Sequence, residues 1–376
     1  MRYLTKVPMR PANELESYTE NLNYHHMTRD EAREMAFWDY FCWWTKKYKV
    51  GHIRPVTIRK YYSNAKSIWI VAPNAKLKDF EKNRHTLQAL LDGYGQTHQH
   101  ATTLEFKNHV IASLRSATDD QFIDGISISQ IKVHTVEDTW SQQKKSEVKN
   151  EVKTLDATEY RKFKLQIEIE LQEKLKEPAI IPPTDPSRFV RRKGNTSISE
   201  QTKLMVLMIL LHTGCRFAEA IGVTFEDVSN GELKIDKTWD YKDNTGFAKT
   251  KNTSSIRTVY IDATLEKMIN DFHIWKLKNF GESKLPIGVE PDTYFYNDTM
   301  NSYFRRKQKQ YGINKNLSIH KIRHTYISYL LNEGVSAETI ARQVGHSDTT
   351  MIQQVYGHLM AERQAQDKLK ISSLMS

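Results

Sequence analysis

The chain has 376 residues, 39% of them hydrophobic and 27% charged, with 15 glycines and 10 prolines. This is the composition of a globular protein of two or three domains and excludes a disordered, collagenous or repeat chain. A formal net charge of +10 favours a polyanionic partner, nucleic acid before membrane.

Residues 1–32 are polar, carry no sustained period and read as an N-terminal extension. They hold no apolar stretch of the kind a signal peptide needs, so a cytoplasmic protein is expected. From Arg33 the pattern is helical. Phe37, Phe41, Trp44 and Tyr48 share one helix face, and Gly51 and Pro55 in GHIRP break that helix. A second helix is predicted from Thr57, with Ile58, Tyr61, Tyr62, Ala65, Ile68 and Trp69 as its apolar positions, and further helical patterns cover 79–92 and 102–116. Together these make a helical domain over 33–140. The polar, charged segment SQQKKSEVKNEVK falls in a linker, 141–154.

A second domain is expected over 155–360, with a tail at 361–376. An amphipathic stretch runs from Thr158 to Lys176. The loop EPAIIPPTDPSRFVRRKGN combines prolines with the basic pair Arg191 and Arg192. A buried helix over 199–212 is stopped by Gly214, and its run from Leu204 to Leu211 is too short to span a bilayer. Strands at 232–236 and 255–261 (SIRTVYI) flank the lysine-rich turn AKTKNTS. In the second strand Ile256, Thr258 and Tyr260 alternate with Arg257, Val259 and Ile261. Helices follow at 263–277, 299–310, 318–332, 336–344 and 349–358. Ser318 is the expected N-cap of the third, with Ile319, Ile322, Tyr326 and Leu330 on its core side. The fold class is therefore mainly α with a small antiparallel β-sheet. Two cysteines, Cys42 and Cys215, stand far from any CxxC or Cys/His cluster, which points to buried thiols and away from structural zinc.

Four pieces of the second domain carry chemistry. TGCRFAEA places Arg216 just past the buried helix, with Glu219 three residues on. In SIHKIRHTYISYLL, His320 and Arg323 sit at i and i+3 on one helix face. QVGHSDTTMIQQVYGHL puts His346 in a turn and Tyr356 ten residues later. Lys249 and Lys251 occupy the turn between the strands. Each piece alone has a plain structural reading: a helix terminus, a basic helix face, a buried tyrosine, a solvated turn.

In this order, TGCRFAEA, KTKNTSSIR, HKIRHT, VGHSDTT and VYGHL resemble the motifs of the tyrosine recombinases, the phage integrase family. The segment FWDYFCWWTKKYKVGHIRPVTIRKYY resembles the same family's core-DNA-binding domain. The resemblance implies a helical core-binding domain and a mixed α/β catalytic domain on opposite faces of a duplex. It implies site-specific cutting and rejoining of DNA through a 3′-phosphotyrosine, to integrate or excise a mobile element, with neither metal nor ATP and no cofactor. The implied partners are double-stranded attachment sites, four protomers on two duplexes, and a host DNA-bending protein or excisionase. The setting is the cytoplasm of a bacterial host.

The residue types suit that chemistry. The transition state of phosphodiester exchange spreads charge over the nonbridging oxygens, and Arg216 and Arg323 offer permanently charged, planar donor forks. Tyr356 is the expected nucleophile, a phenol that needs a base or a positive field. His320 accepts its proton or holds a phosphate oxygen, and His346 donates to the same phosphate. The leaving 5′-oxygen needs an acid, a role the resemblance gives to a lysine. Counting back from Arg257 favours Lys251, and the KT dipeptide favours Lys249; Lys251 is taken as the acid. Arg54, Arg59, Lys60, Arg191, Arg192 and Lys249 are the expected phosphate contacts. Glu219 reads as structural, orienting Arg216 or the strand. The alternatives are a recombinase that resolves chromosome or plasmid dimers and a DNA-binding regulator without catalysis. No carboxylate cluster accompanies the histidines, which disfavours a metal-dependent nuclease.

Overall fold

The computed structural model describes residues 27–144, 154–180, 198–242, 244–250, 253–282, 284–350 and 352–353. The chain divides into two units, Met1–Glu151 and Val152–Ser376, each with its own apolar core.

The first unit is helical. Helix α1 (Arg29–Glu34) opens with a capping box in which Thr28 and Glu31 satisfy each other's backbone N–H groups. Helix α2 (Phe37–Tyr48) buries Phe37, Tyr40, Phe41 and Trp44. Helix α3 (Pro55–Val71) starts two residues before the expected Thr57. Proline has no N–H to lose and a φ already suited to the first helical turn, so Pro55 begins the helix. The pattern expected over 79–92 resolves into a 3₁₀ turn (Leu77–Phe80) and helix α4 (Arg84–Gly95), capped by the Asn83 side chain. Helix α5 (His100–Asp119) follows, and the chain beyond it adds Phe122, Ile123 and Ile131 to the core. The helix receives a hydrogen bond on Ser116 Oγ from Trp44 Nε1 at 2.8 Å and one on the Ser113 carbonyl from Tyr40 at 3.3 Å.

The second unit is built around one helix buried on nearly every side. Helix α6 (Ala157–Lys174) begins in an Asp156/Glu159 capping box. Helix α7 (Glu200–Thr213) is capped by Ser199 and buries every residue from Leu204 to Thr213. Buried Glu290 secures its start, accepting the Ser199 N–H at 3.0 Å. Gly214 ends it at φ +61, as the sequence predicts. Short helix α8 (Phe217–Gly222) follows at once.

The strands differ from expectation in number. β1 (Val228–Ser229), β2 (Glu232–Ile235) and β5 (Arg257–Tyr260) form an antiparallel sheet in the order β1-β2-β5, with Leu233 opposite Val259. A separate two-stranded ribbon, β3 (Lys237–Trp239) with β4 (Phe247–Lys249), stands between β2 and β5. The sequence reading expected one sheet. Three-residue strands with no buried alternation leave no period to detect.

Helices α9 (Ala263–Phe280), α10 (Asn297–Gln310), α11 (His320–Asn332) and α12 (Ala337–Val344) complete the unit. Ser318 is not the N-cap of α11. That position is Ile319, without a side-chain cap, and Asn301 Oδ1 on α10 takes its N–H at 2.9 Å. On α11 Leu331 is buried, whereas Leu330 is only partly so. The helix expected over 349–358 is described only at its start, where Asp348 Oδ1 accepts the Thr350 N–H at 2.7 Å. No helix among the described residues is long and apolar enough to cross a membrane.

Candidate active site

Three element termini of the second unit bring the candidate groups together. The left-handed turn at Gly214 delivers the chain from the end of α7 to Arg216, the N-cap of α8. A Cβ on Gly214 would lie 2.5 Å from the Tyr326 ring of α11, so this crossing needs glycine both for φ and for space. The N-terminus of α11 presents His320 and Arg323. The left-handed turn at Gly345 ends α12 and presents His346.

Arg216 is held by Glu219. Its Nη1 donates to Glu219 Oε1 at 2.8 Å, and its backbone N–H donates to Oε2 at 2.9 Å. Glu219 is 2% exposed, whereas the Arg216 side chain keeps 34% of its surface. Burial opposes the Glu219 charge, but Arg257 and Arg216 outweigh it and hold its pKa below the usual carboxylate range.

Arg323 is buried. Its Nη1 donates to the Gly214 carbonyl at 3.1 Å, and its Nη2 meets no hydrogen-bond partner among the described residues. Burial, then the neighbouring Arg216, lowers its pKa to about 10, so it stays charged at neutral pH. His346 is half-buried, and its Nδ1 too has no hydrogen-bond partner among the described residues. Burial and the fields of Arg323 and Arg216 push its pKa down to about 4, leaving a neutral ring. His320 is exposed, and its ring stands nearly perpendicular to that of His324 with centroids 5.3 Å apart. Partial burial, then Arg323, Lys321 and Arg216, lowers its pKa as well.

Arg216, Arg323, His320 and His346 thus share one electrostatic neighbourhood. Buried polar atoms without partners are rare and costly. Arg323 Nη2 and His346 Nδ1 in one cationic region are suited to an anion with several oxygen acceptors, such as a phosphodiester. Among the described residues, no three His, Cys, Asp or Glu side chains gather as metal ligands. Both cysteines are buried free thiols.

The remaining site expectations are placed differently. Lys249 is the exposed last residue of β4, opposite Lys237. Lys251, Tyr356, Arg191 and Arg192 lie outside the described residues. In the first unit Arg54 occupies the N-cap position of α3 without a side-chain capping bond, and Arg59 and Lys60 are exposed on that helix. Lys60 is ion-paired with Glu105 of α5. Sequence reasoning passed over Arg257 and Gln343 as participants. Arg257 Nη2 reaches Glu219 Oε2 at 3.0 Å, and the Gln343 amide hydrogen-bonds both backbone groups of Tyr260. The signal for the first was an arginine on the inward face of β5, in register with Val259.

Residues 188–363 match the family described as "Phage integrase family". The chain is 31% identical to the ICEBs1 integrase of Bacillus subtilis (strain 168) over 175 residues, 43% of this chain and 46% of that protein. It is 31% identical to the prophage ps2 probable integrase of Lactococcus lactis subsp. lactis (strain IL1403) over 156 residues, 36% of this chain and 39% of that one. The matches therefore span less than half the length of these relatives. Among solved structures, the Tn1549 transposon integrase, in complex with transposon right end DNA, aligns with a TM-score of 0.58 at 16% identity, over 89% of this chain and 100% of that one. A lambda integrase dimer bound to a core site aligns with a TM-score of 0.52 at 16% identity, over 84% and 97%. At such identities the likeness shows the fold.

Proposed function

We propose, from the match of residues 188–363 to the phage integrase family, that the chain is a site-specific tyrosine recombinase that integrates or excises a mobile element. The observation that carries this reading is the convergence of Arg216, Arg323, His320 and His346, with Arg323 Nη2 and His346 Nδ1 left without partners among the described residues. In the proposed step Tyr356 attacks the scissile phosphorus. The phenolic proton passes to His320, the 5′-oxygen leaves with a proton from Lys251, and the phosphate stays on the tyrosine as a 3′-ester. The two guanidiniums neutralise the charge that builds on the nonbridging oxygens; losing one such preorganised donor typically costs about 3 kcal/mol of barrier. A 5′-hydroxyl from a partner strand reverses the step, so the ester conserves the bond energy and no ATP is consumed.

The wider assembly is part of the same proposal: attachment-site DNA, four protomers on two duplexes, a host DNA-bending protein or excisionase, and action in the bacterial cytoplasm. Arg54, Arg59, Arg191, Arg192 and Lys249 are proposed phosphate contacts. Lys60 joins them by exchanging Glu105 for a phosphate.

The test is a nicked suicide substrate carrying the junction sequence of the element, incubated with EDTA. Wild-type protein is expected to form a covalent protein–DNA adduct and Tyr356→Phe none. Tight site binding by the wild type without an adduct would favour a non-catalytic regulator. An adduct with relaxation of a single supercoiled circle, but no joining between two DNAs, would favour a topoisomerase.

A further inference from the structure

One more buried cation stands in this region, and its donors are engaged differently. Arg257 opens β5 with its side chain 6% exposed. All three guanidinium nitrogens bind protein: Nε donates to the Gln343 carbonyl at 3.0 Å, Nη1 to the Ser255 carbonyl at 2.9 Å, and Nη2 to Glu219 Oε2 at 3.0 Å. A buried guanidinium is tolerated when its donors are paired in this way. Arg323, by contrast, keeps one nitrogen without a partner among the described residues.

The three acceptors lie on three separate segments, and each leads to a candidate catalytic group. Glu219 is the carboxylate that grips Arg216 at both its side chain and its backbone. Ser255 lies in the turn that follows Lys251 and feeds β5. Gln343 stands three residues before His346, in the last turn of α12. The Gly345 turn closes directly on the guanidinium: a Cβ there would lie 2.8 Å from Arg257 Nη1. Any side chain at 345 would push the His346 turn and Arg257 apart.

We infer that Arg257 is a positioning residue. It orients Arg216 through Glu219 and ties the strand behind the lysine segment to the turn carrying His346, so that these groups meet one phosphate as a unit. This inference rests on the proposed recombinase chemistry. Lysine at 257 keeps the charge but has one nitrogen for three acceptors at fixed, divergent positions.

The experiment compares wild type, Arg257→Lys and Tyr356→Phe on two suicide substrates, one with an ordinary scissile phosphodiester and one with a methylphosphonate. The methylphosphonate is uncharged and asks less of the guanidiniums. A fault transmitted through Arg216 therefore shrinks on it, whereas a fault in folding or DNA docking does not. Arg257→Lys is expected to bind the site as wild type does and to form adduct about a hundredfold more slowly on the phosphodiester, the scale of an ångström-sized misplacement, narrowing to about tenfold or less on the methylphosphonate. Equal slowing on both substrates, or a wild-type rate on the phosphodiester, overturns the inference. If Arg257→Lys does not fold, Glu219→Gln, which keeps the side-chain shape and loses the charge, must show the same two-substrate signature. A wild type that forms no adduct on the phosphodiester overturns the recombinase reading, and the positioning role falls with it.

Discussion

His346 shows how a single residue carries the field of its surroundings. An ordinary histidine titrates near 6.5, whereas burial beside Arg323 and Arg216 brings this one to about 4. The sign of the stability effect follows. Between those two values the unfolded chain takes up a proton that the folded chain refuses, so the fold loses stability as pH falls from about 6.5 to about 4. Melting temperature is expected to drop across that window, and His346→Gln to flatten part of the drop. A phosphate placed against the ring reverses the pressure. Binding of site DNA is expected to raise the His346 pKa, readable by NMR titration of the ring with and without DNA; an unchanged value would place the phosphate elsewhere. The residue types were legible from spacing alone, but the shifted pKa was not. Its causes lie on α8, α11 and β5, far from position 346 in the chain.

At the scale of elements the turns decide more than the helices. Gly214 has φ +61 and its missing Cβ leaves room for the Tyr326 ring. Gly214→Ala therefore meets both backbone strain and overpacking, and is expected to cost about 1–3 kcal/mol of stability. Because the same turn delivers Arg216, adduct formation is expected to fall more than melting temperature predicts; a parallel decline of the two would make the turn purely structural. This terminus was readable, since glycine after an apolar helical run is a strong stop signal. Two others were misread. Ser318 has the side chain of a cap, yet Asn301 of α10 supplies the bond to the neighbouring backbone instead. Pro55 resembles a breaker but opens α3. Local propensity names the kind of residue that ends a helix, and tertiary neighbours choose which one acts. The β3–β4 ribbon escaped detection for a different reason: strands of three residues bury no alternating face.

For the whole molecule, the two cores share no residue. One gathers apolar side chains from Ala32 to Ile131, the other from Leu155 to Ile352. Each contains enough large buried side chains to fold by itself. Segments 27–144 and 154–376, produced separately, are each expected to unfold in one cooperative transition by circular dichroism. Loss of cooperativity in either would show that its core needs the other unit. The second segment alone is expected to retain adduct formation on the suicide substrate while binding site DNA more weakly and with a shallower salt dependence, because it has given up the phosphate contacts proposed for α3.

The sequence alone determined the helical character of both units, the termini at Gly214 and Gly345, and the order of Arg216, His320, Arg323 and His346. These follow from periodicity, backbone stereochemistry and motif spacing, all local properties. Only the tertiary structure decided that Glu219 joins two arginines, that Arg257 spans three segments, and that Lys60 is paired with Glu105. A buried charge is stabilised by whatever partner the fold brings within about 3 Å. In this chain such a partner lies 86 residues away for Arg257 and 109 residues away for Arg323, beyond the reach of any local pattern.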